Sequence, residues 1–185
     1  MRGEGPERRR RKGLRSVVPS GKDDLAAVER LTALGYPAVQ PVLFDVMKWI
    51  RQTSWPVAKP VLEFLVSIGP AIVPEVQKVL GSRDDFWKAA VLRDIVSGWP
   101  AKEIGHLSPQ LFMIATDGQS WGADLLALRL LARHRIGDGQ WIAAWLEFKE
   151  QHHRARLAEI AEIQLLVERG AAEQALGADE TRGVL

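Results

Sequence analysis

The chain has 185 residues, of which 46% are apolar and 26% are charged, and it contains no cysteine. The length allows one core of moderate size, and the composition is that of an ordinary globular protein. The absence of cysteine excludes disulfides, cysteine-ligated zinc, iron–sulfur clusters and thiol catalysis. The longest uncharged apolar run, at 64–74, is shorter than a membrane span, and no apolar signal segment follows Met1. We therefore expect a cytoplasmic protein that makes no membrane contact.

The formal net charge of +2 hides an uneven distribution along the chain. Residues 1–22 carry eight basic and two acidic side chains, a net charge of +6, so the remaining 163 residues carry −4. Because this N-terminal segment has little apolar content, we predict a disordered basic arm at 1–22. Its consecutive cations either bind phosphate groups or form only a solvated tail. They are Arg8, Arg9, Arg10, Arg11 and Lys12.

From Asp23 onward, apolar residues recur every three or four positions, which is the pattern of amphipathic helices. No segment alternates with a period of two, so no strand is predicted. Prolines at possible helix starts and glycines at possible helix ends divide the chain into short helices and one long one. The predicted helices lie at 23–34, 37–52, 56–68, 71–80, 85–97, 108–116, 120–134 and 139–169, followed by a flexible tail at 170–185.

The helix ends carry residues that suit caps. The acidic pairs Asp23–Asp24 and Asp84–Asp85 lie at predicted helix starts, where carboxylates accept hydrogen bonds from free N–H groups. Four glycines follow apolar runs, and we expect each to end a helix with a positive φ. These glycines are Gly35, Gly69, Gly81 and Gly98.

A shift of 34 residues aligns one helix pair with the next, so that Leu31 coincides with Leu65 and Gly35 with Gly69. Short antiparallel helix pairs with such a period are typical of α-solenoids. We therefore predict an all-α fold in which residues 23–169 form a single domain. This domain is a short right-handed α-solenoid of HEAT or armadillo type, with the longer C-terminal helix as its cap. A compact helical bundle is the competing fold.

The last predicted helix has an apolar side that we expect to be buried. It carries Trp141, Trp145, Phe148, Leu157, Ile160, Ile163 and Val167.

Three short motifs carry a family resemblance: L-G-Y-P at 34–37, W-P-V-A at 55–58 and D-D-F-W-K at 84–88. The region 23–100 resembles a DUF5071-like family of small bacterial proteins, an uncharacterised domain of unknown function. In that family each motif opens a helix. The tyrosine that usually follows Trp-Lys is replaced here by Ala89. The resemblance implies a HEAT-like helical-repeat fold and brings no activity with it.

Motifs for catalysis or metal binding are missing from the sequence. None of the four histidines has the spacing of a metal site, and His152 and His153 are adjacent, so on a helix they point about 100° apart. No G-x-S-x-G elbow or phosphate-binding loop occurs. The sequence therefore predicts no catalytic residue, no metal and no cofactor.

Tryptophan is unusually frequent, with seven residues against one tyrosine. A tryptophan near a turn either packs between helices or forms a binding hot spot, often together with arginine. We favour packing for Trp87 and Trp141. The candidate binding residues are Trp49, Arg51, Trp55, Lys59, Trp99 and Trp121.

The sequence supports two functions of different classes. The first is a non-enzymatic protein-interaction module of adaptor, regulatory or toxin-immunity type, which binds a protein partner on one face of the solenoid. The second is a nucleic-acid-binding HEAT-like protein or DNA-glycosylase-like enzyme. It would use the basic arm for phosphates and a pocket of Trp121, Asp117 and Asp124 for a base. The acidic body favours the first. A small-molecule enzyme, with a pocket between repeats, is a third hypothesis that no motif supports.

Overall fold

The computed structural model describes residues 13–117 and 122–180, with side chains described up to residue 170. These residues form helices and turns, and none of them lies in a strand. The predicted all-α class is therefore confirmed. The chain divides into two compact units, with the boundary after Gly139. The predicted single domain at 23–169 spans both units.

The first unit consists of short α-helices linked by tight turns. They are α1 (Leu25–Leu34), α2 (Leu43–Met47), α3 (Ala58–Ile68), α4 (Val73–Leu80), α5 (Asp85–Asp94), α6 (Ala101–Gly105), α7 (Ser108–Thr116) and α8 (Ala123–His134). Short 3-10 turns lie at Arg15–Val17, Gln40–Val42, Lys48–Ile50, Gly69–Ile72 and Val96–Gly98.

The predicted helix at 37–52 is divided into α2 and the 3-10 turns on either side of it. Pro41 lies in the first of these turns, where its missing N–H removes a donor that a continuous α-helix needs. The helix α6 is not among the predicted helices, because five residues are too few to show a helical apolar period.

The predicted acidic caps are confirmed. The Asp24 carboxylate accepts a hydrogen bond from the Ala27 amide at 3.1 Å at the start of α1. The Asp84 carboxylate accepts one from the Trp87 amide at 3.0 Å at the start of α5.

The glycine prediction holds for two of its four positions. Gly35 and Gly69 both have a φ of 68°, as expected at the ends of α1 and α3. The prediction is wrong for Gly81, whose φ is −82°, and for Gly98, whose φ is not positive. Helix α4 ends without the left-handed residue, and Gly98 lies inside a 3-10 turn, which uses negative φ.

The core of the first unit is aliphatic. Helix α3 packs against α1 and α2, α4 packs against α5 and α7, and α8 packs against α5 and α7. The largest side chains in these contacts are almost completely shielded from solvent. They include Leu31, Leu43, Met47, Leu65, Leu92, Leu111, Leu128 and Leu131.

Residues 13–22 belong to the predicted disordered arm at 1–22, but here they pack against the helices. Val17 is buried. The Arg30 guanidinium donates two hydrogen bonds to the Ser16 carbonyl, at 3.0 and 2.8 Å. The Lys22 carbonyl accepts a hydrogen bond from the Val57 amide at 3.1 Å. The packed part of the first unit therefore begins at or before residue 17 and not at the predicted residue 23.

A network at the start of α1 gives stability a pH dependence. The Asp24 carboxylate accepts hydrogen bonds from the Ser20 amide at 3.0 Å and the Ser20 hydroxyl at 2.8 Å. These bonds hold the pKa of Asp24 below its ordinary value of 3.8. A lowered carboxyl pKa stabilises the folded state above the unfolded pKa, and this contribution is lost as pH falls through the folded pKa.

We therefore expect Asp24→Asn to be less stable than the parent at neutral pH and to show a flatter loss of stability below about pH 4. Urea unfolding across a pH series measures the difference. Asp23→Asn is the control, because it removes the same charge from a neighbouring carboxylate that lacks these hydrogen bonds. An equal change in the two variants would contradict the prediction.

The second unit contains one long helix, α9 (Gly139–Glu180), which runs past the predicted end at 169. The prediction that its apolar side is buried is wrong for five of the seven residues. Their exposed fractions are 55% for Phe148, 65% for Leu157, 51% for Ile160, 54% for Ile163 and 67% for Val167. An apolar pattern shows which side of a helix is apolar, but it does not show whether another element packs against that side.

No helix within residues 13–117 and 122–180 is long and apolar enough to cross a bilayer.

Candidate functional site

An open groove of about 1290 Å³ lies on the first unit, and we call it the aromatic groove. Its floor and walls come from the N-terminal segment, from the turn after α2 and from α5. The residues that define it are Trp49, Arg51, Trp55, Phe86, Arg93 and Pro19.

Two tryptophans form one wall of the groove. Trp49 lies in the 3-10 turn after α2, and Trp55 lies six residues later, just before α3. Turn hydrogen bonds fix the backbone on both sides of Trp55, from its amide to the Gln52 carbonyl at 3.2 Å and from the Ala58 amide to the Trp55 carbonyl at 2.9 Å. The two rings are tilted, with centroids 5.5 Å apart, and both side chains are half-buried. Such a pair offers a large, rigid apolar surface.

Arg51 is held in place between this wall and α5. Its Cζ lies 5.3 Å from the centroid of the Trp87 ring, which is within the range of cation–π contact. Its guanidinium also forms an ion pair with Asp84, the residue that caps α5. Because two contacts hold the guanidinium, it loses little side-chain freedom when a partner binds.

Trp87 supports the groove from below. Its side chain is buried, and its indole N–H donates a hydrogen bond to the Met47 carbonyl at 3.0 Å. Its ring packs against Phe44, with centroids 5.7 Å apart. The packing role predicted for Trp87 is therefore confirmed. Trp141, for which the same role was predicted, is half-buried on α9, with its ring centroid 6.0 Å from that of Trp145.

The cations of the groove are half-exposed and already paired within the chain. The exposed fractions of the side chains are 48% for Lys48, 51% for Arg51 and 55% for Arg93. The hydrogen bond with Asp94 raises the pKa of Arg93 above its ordinary value, so this guanidinium stays charged. The pairs are Lys48–Asp45, Arg51–Asp84 and Arg93–Asp94.

The pairing limits what the groove can do chemically. The carboxylates that line it, Asp45 and Asp84, each form an ion pair with a cation of the chain, so their oxygens are already engaged. In the described ranges, no three metal-ligating side chains come together. The arrangement instead suits binding, since it combines a fixed aromatic wall with exposed guanidinium groups.

The structure brings together three of the predicted binding residues, Trp49, Arg51 and Trp55. Lys59 is exposed on α3 but does not line the groove. Trp99 is only 6% exposed, so it belongs to the core and not to a binding surface. Trp99 follows a 3-10 turn in which Val96 is also buried. The position of a tryptophan next to a turn does not determine whether its side chain faces the core or solvent. Trp121 lies outside the described residues.

The arm residues Arg8 to Lys12 also lie outside the described residues. The Trp/Asp pocket of the alternative function therefore has only its carboxylates in the structure. Asp124 is buried near the start of α8, and Asp117 is exposed at the end of α7.

Sequence reasoning missed Phe86 and Arg93. Phe86 is 62% exposed at the start of α5, and Arg93 lies on the same helix. They are seven residues apart with Ala90 between them, a spacing that places all three on one side of the helix. The sequence offers only the spacing of Phe86, Ala90 and Arg93, which places an aromatic residue and an arginine on one side of the predicted helix but does not say that this side meets Trp49 and Trp55.

These elements define a small all-α protein with an aromatic and cationic groove and no strand in the part described. The chain matches the family described as "Domain of unknown function (DUF5071)" over residues 17–125 and belongs to it. The resemblance inferred from the three motifs is therefore confirmed, and the match extends beyond 23–100 at both ends. It covers every residue named above as defining the groove. No curated protein matches the chain.

Proposed function

We propose that the chain is a non-enzymatic protein-interaction module of adaptor, regulatory or immunity type. It binds a segment of a partner protein in the aromatic groove. The observation that carries this proposal is the fixed Trp49–Trp55 pair beside the half-exposed guanidinium of Arg51. Tryptophan and arginine are the residues most enriched in interface hot spots.

The module is a short α-solenoid in this proposal. The solenoid assignment is supported by the correspondence of α1 with α3 when the sequence is shifted by 34 residues. Leu31 and Leu65 both have an exposed fraction of 0%, and Gly35 and Gly69 both have a φ of 68°. Equivalent residues in successive helix pairs thus have the same environment, which is a property of helical repeats.

The size and chemistry of the groove favour a protein segment as the ligand. Its volume exceeds the range of about 300–1,000 Å³ that is common for small-molecule sites. The aromatic wall and Phe86 suit an apolar side chain. A guanidinium has five N–H donors, so Arg51 and Arg93 can each donate hydrogen bonds to a second carboxylate beside the one they already bind. We therefore expect the bound segment to combine an apolar residue with an acidic one.

The proposal is tested by selecting ligands from a random-peptide display library on the full chain. An enriched peptide is then titrated by calorimetry against the Trp49→Ala and Trp55→Ala variants. We expect each variant to weaken binding by about tenfold or more, because truncating a hot-spot tryptophan removes its desolvated contact area. The enriched peptides should share an apolar residue next to an acidic one.

Trp145→Ala is the matched control, since it also removes one ring of a half-buried tryptophan pair, but on α9. It should leave peptide affinity unchanged. Peptides that bind the parent, Trp49→Ala and Trp55→Ala equally well would contradict the proposal. Retention of nucleic acid by the parent at low salt, lost on deletion of residues 1–12, would instead support the nucleic-acid-binding alternative.

A further inference from the structure

The aromatic groove continues at Arg51 into a second, smaller depression of about 600 Å³, which we call the side depression. The groove and the side depression share Arg51, Asp84 and Phe86, so they are parts of one open surface. The other residues that line the side depression are Ser82, Arg83, Asp85 and Trp87. A ligand that is longer than the groove can therefore extend over Arg51 and stay in contact with the protein.

The side depression has a cation that the chain does not neutralise. Both of its carboxylates form ion pairs, Asp84 with Arg51 and Asp85 with Lys88, the latter at 2.9 Å. Arg83 is exposed, and no carboxylate in the described part of the chain binds it. The N–H donors of its guanidinium are therefore available to an anion from outside.

A second unpaired cation lies next to the same aromatic rings. The Lys78 ammonium, on the last turn of α4, is 5.9 Å from the centroid of the Phe44 ring. Phe44 packs against Trp87, which lines the side depression. Lys78 is exposed and forms no ion pair with any residue that the structure describes. Because its contact with Phe44 favours this position, Lys78 adds a second positive charge beside the side depression.

We propose that the partner segment bound in the aromatic groove has an acidic run, which continues over Arg51 and meets Arg83 and Lys78 with its carboxylates. This inference rests on the proposed function and defines the partner more closely, as a segment with an apolar residue and at least two acidic residues on one side of it. A guanidinium binds a carboxylate through two parallel N–H donors, and an ammonium binds one as a point charge. Because both cations are exposed, these bonds add modest affinity and select for charge.

The carboxylates of this surface distinguish an acidic peptide from a nucleic acid. Asp45, Asp84 and Asp85 line the groove or the side depression together with the cations. A nucleic-acid strand carries a phosphate at every nucleotide, so a bound strand would also place phosphates against these carboxylates. A peptide can place acidic residues at Arg83 and Lys78 and neutral residues elsewhere. The surface therefore favours an acidic protein segment.

Two matched peptides test the selectivity for charge. The probe is the tightest peptide selected from the display library on the full chain, and its partner is a copy in which each Asp or Glu is replaced by Asn or Gln. The double variant Lys78→Glu/Arg83→Glu should bind the acidic probe about tenfold more weakly than the parent, because each substitution removes an attraction and adds a repulsion. The neutral copy should bind the parent and the double variant equally well. Selection on the double variant should enrich peptides with basic residues in place of the acidic ones.

Arg129→Glu/Arg133→Glu is the matched control. It reverses two exposed charges on α8, a helix that lines neither the groove nor the side depression. Arg133 lies in the last turn of its helix, as Lys78 does, so both double variants place an anion near a helix C-terminus. The control should bind the acidic probe like the parent, and circular dichroism checks that both variants keep their helix content.

The outcomes separate this inference from the proposed function. A loss of binding in Trp49→Ala with none in Lys78→Glu/Arg83→Glu would overturn the acidic run and leave the groove as the binding site. Selected peptides without two acidic residues, or an equal loss for the acidic probe and its neutral copy, would overturn it as well. Unchanged affinity in both Trp49→Ala and Trp55→Ala, with a loss in the double variant, would instead contradict the groove as the site and with it the continuous path.

Discussion

Trp87→Ala is expected to lower the free energy of unfolding by about 3–5 kcal/mol. The side chain is only 4% exposed, so its truncation leaves a cavity beneath the aromatic groove. The Met47 carbonyl would also lose its hydrogen bond from the indole, which is 3.0 Å long. Urea unfolding followed by circular dichroism measures the change. A loss of less than about 1 kcal/mol would show that the neighbouring helices close the cavity.

Trp87→Phe separates packing from hydrogen bonding. Phenylalanine keeps most of the apolar volume but leaves the Met47 carbonyl without its donor, so we expect a smaller loss of about 1–3 kcal/mol. Both variants remove or shrink the ring over which the Arg51 guanidinium lies. They should therefore also weaken peptide binding in the groove, and Trp87→Ala more strongly than Trp87→Phe.

Gly69→Ala is expected to lower the free energy of unfolding by about 1–3 kcal/mol. Gly69 has a φ of 68° and a ψ of −148°, a backbone conformation that is essentially restricted to glycine. A Cβ at this position would have no atom within 4 Å, so the whole cost comes from the backbone and not from a steric clash. Thermal and urea unfolding measure the change.

Gly105→Ala is the control, and its expected effect has the opposite sign. Gly105 is the last residue of α6, its φ is not positive, and a Cβ there would also meet nothing within 4 Å. Alanine restricts the unfolded chain and favours the helix, so stability should rise by up to about 1 kcal/mol. Equal destabilisation by the two substitutions would contradict the backbone explanation.

The sequence predicts those parts of the fold that depend on local interactions. Helix positions follow from the apolar period, and the caps at Asp24 and Asp84 follow from the residue types that accept free N–H groups. The positive φ at Gly35 and Gly69 follows from their places after helices. The 3-10 turns around α2 are harder to predict, because the same apolar spacing fits a continuous helix and only the prolines argue against it.

The candidate site is predictable only where its residues are neighbours in the chain. Trp49, Arg51 and Trp55 lie within seven residues, so one turn brings them together. Phe86 and Arg93 reach the groove only through the packing of α5, which no local pattern encodes. The burial of Trp99 is likewise a tertiary property, because a tryptophan after a turn has the same sequence pattern whether it faces the core or solvent.

The attachment of the N-terminal segment has a kinetic consequence. Val18 and Pro19 line the groove, and five residues of the chain separate Val18 from Lys12, the last of the five consecutive cations. Positive charge tethered this few residues away would attract the proposed acidic ligand before contact and raise its association rate, an effect that salt screens over about 10 Å at 0.1 M. Shortening the arm would then slow capture of an acidic ligand while leaving its dissociation rate unchanged.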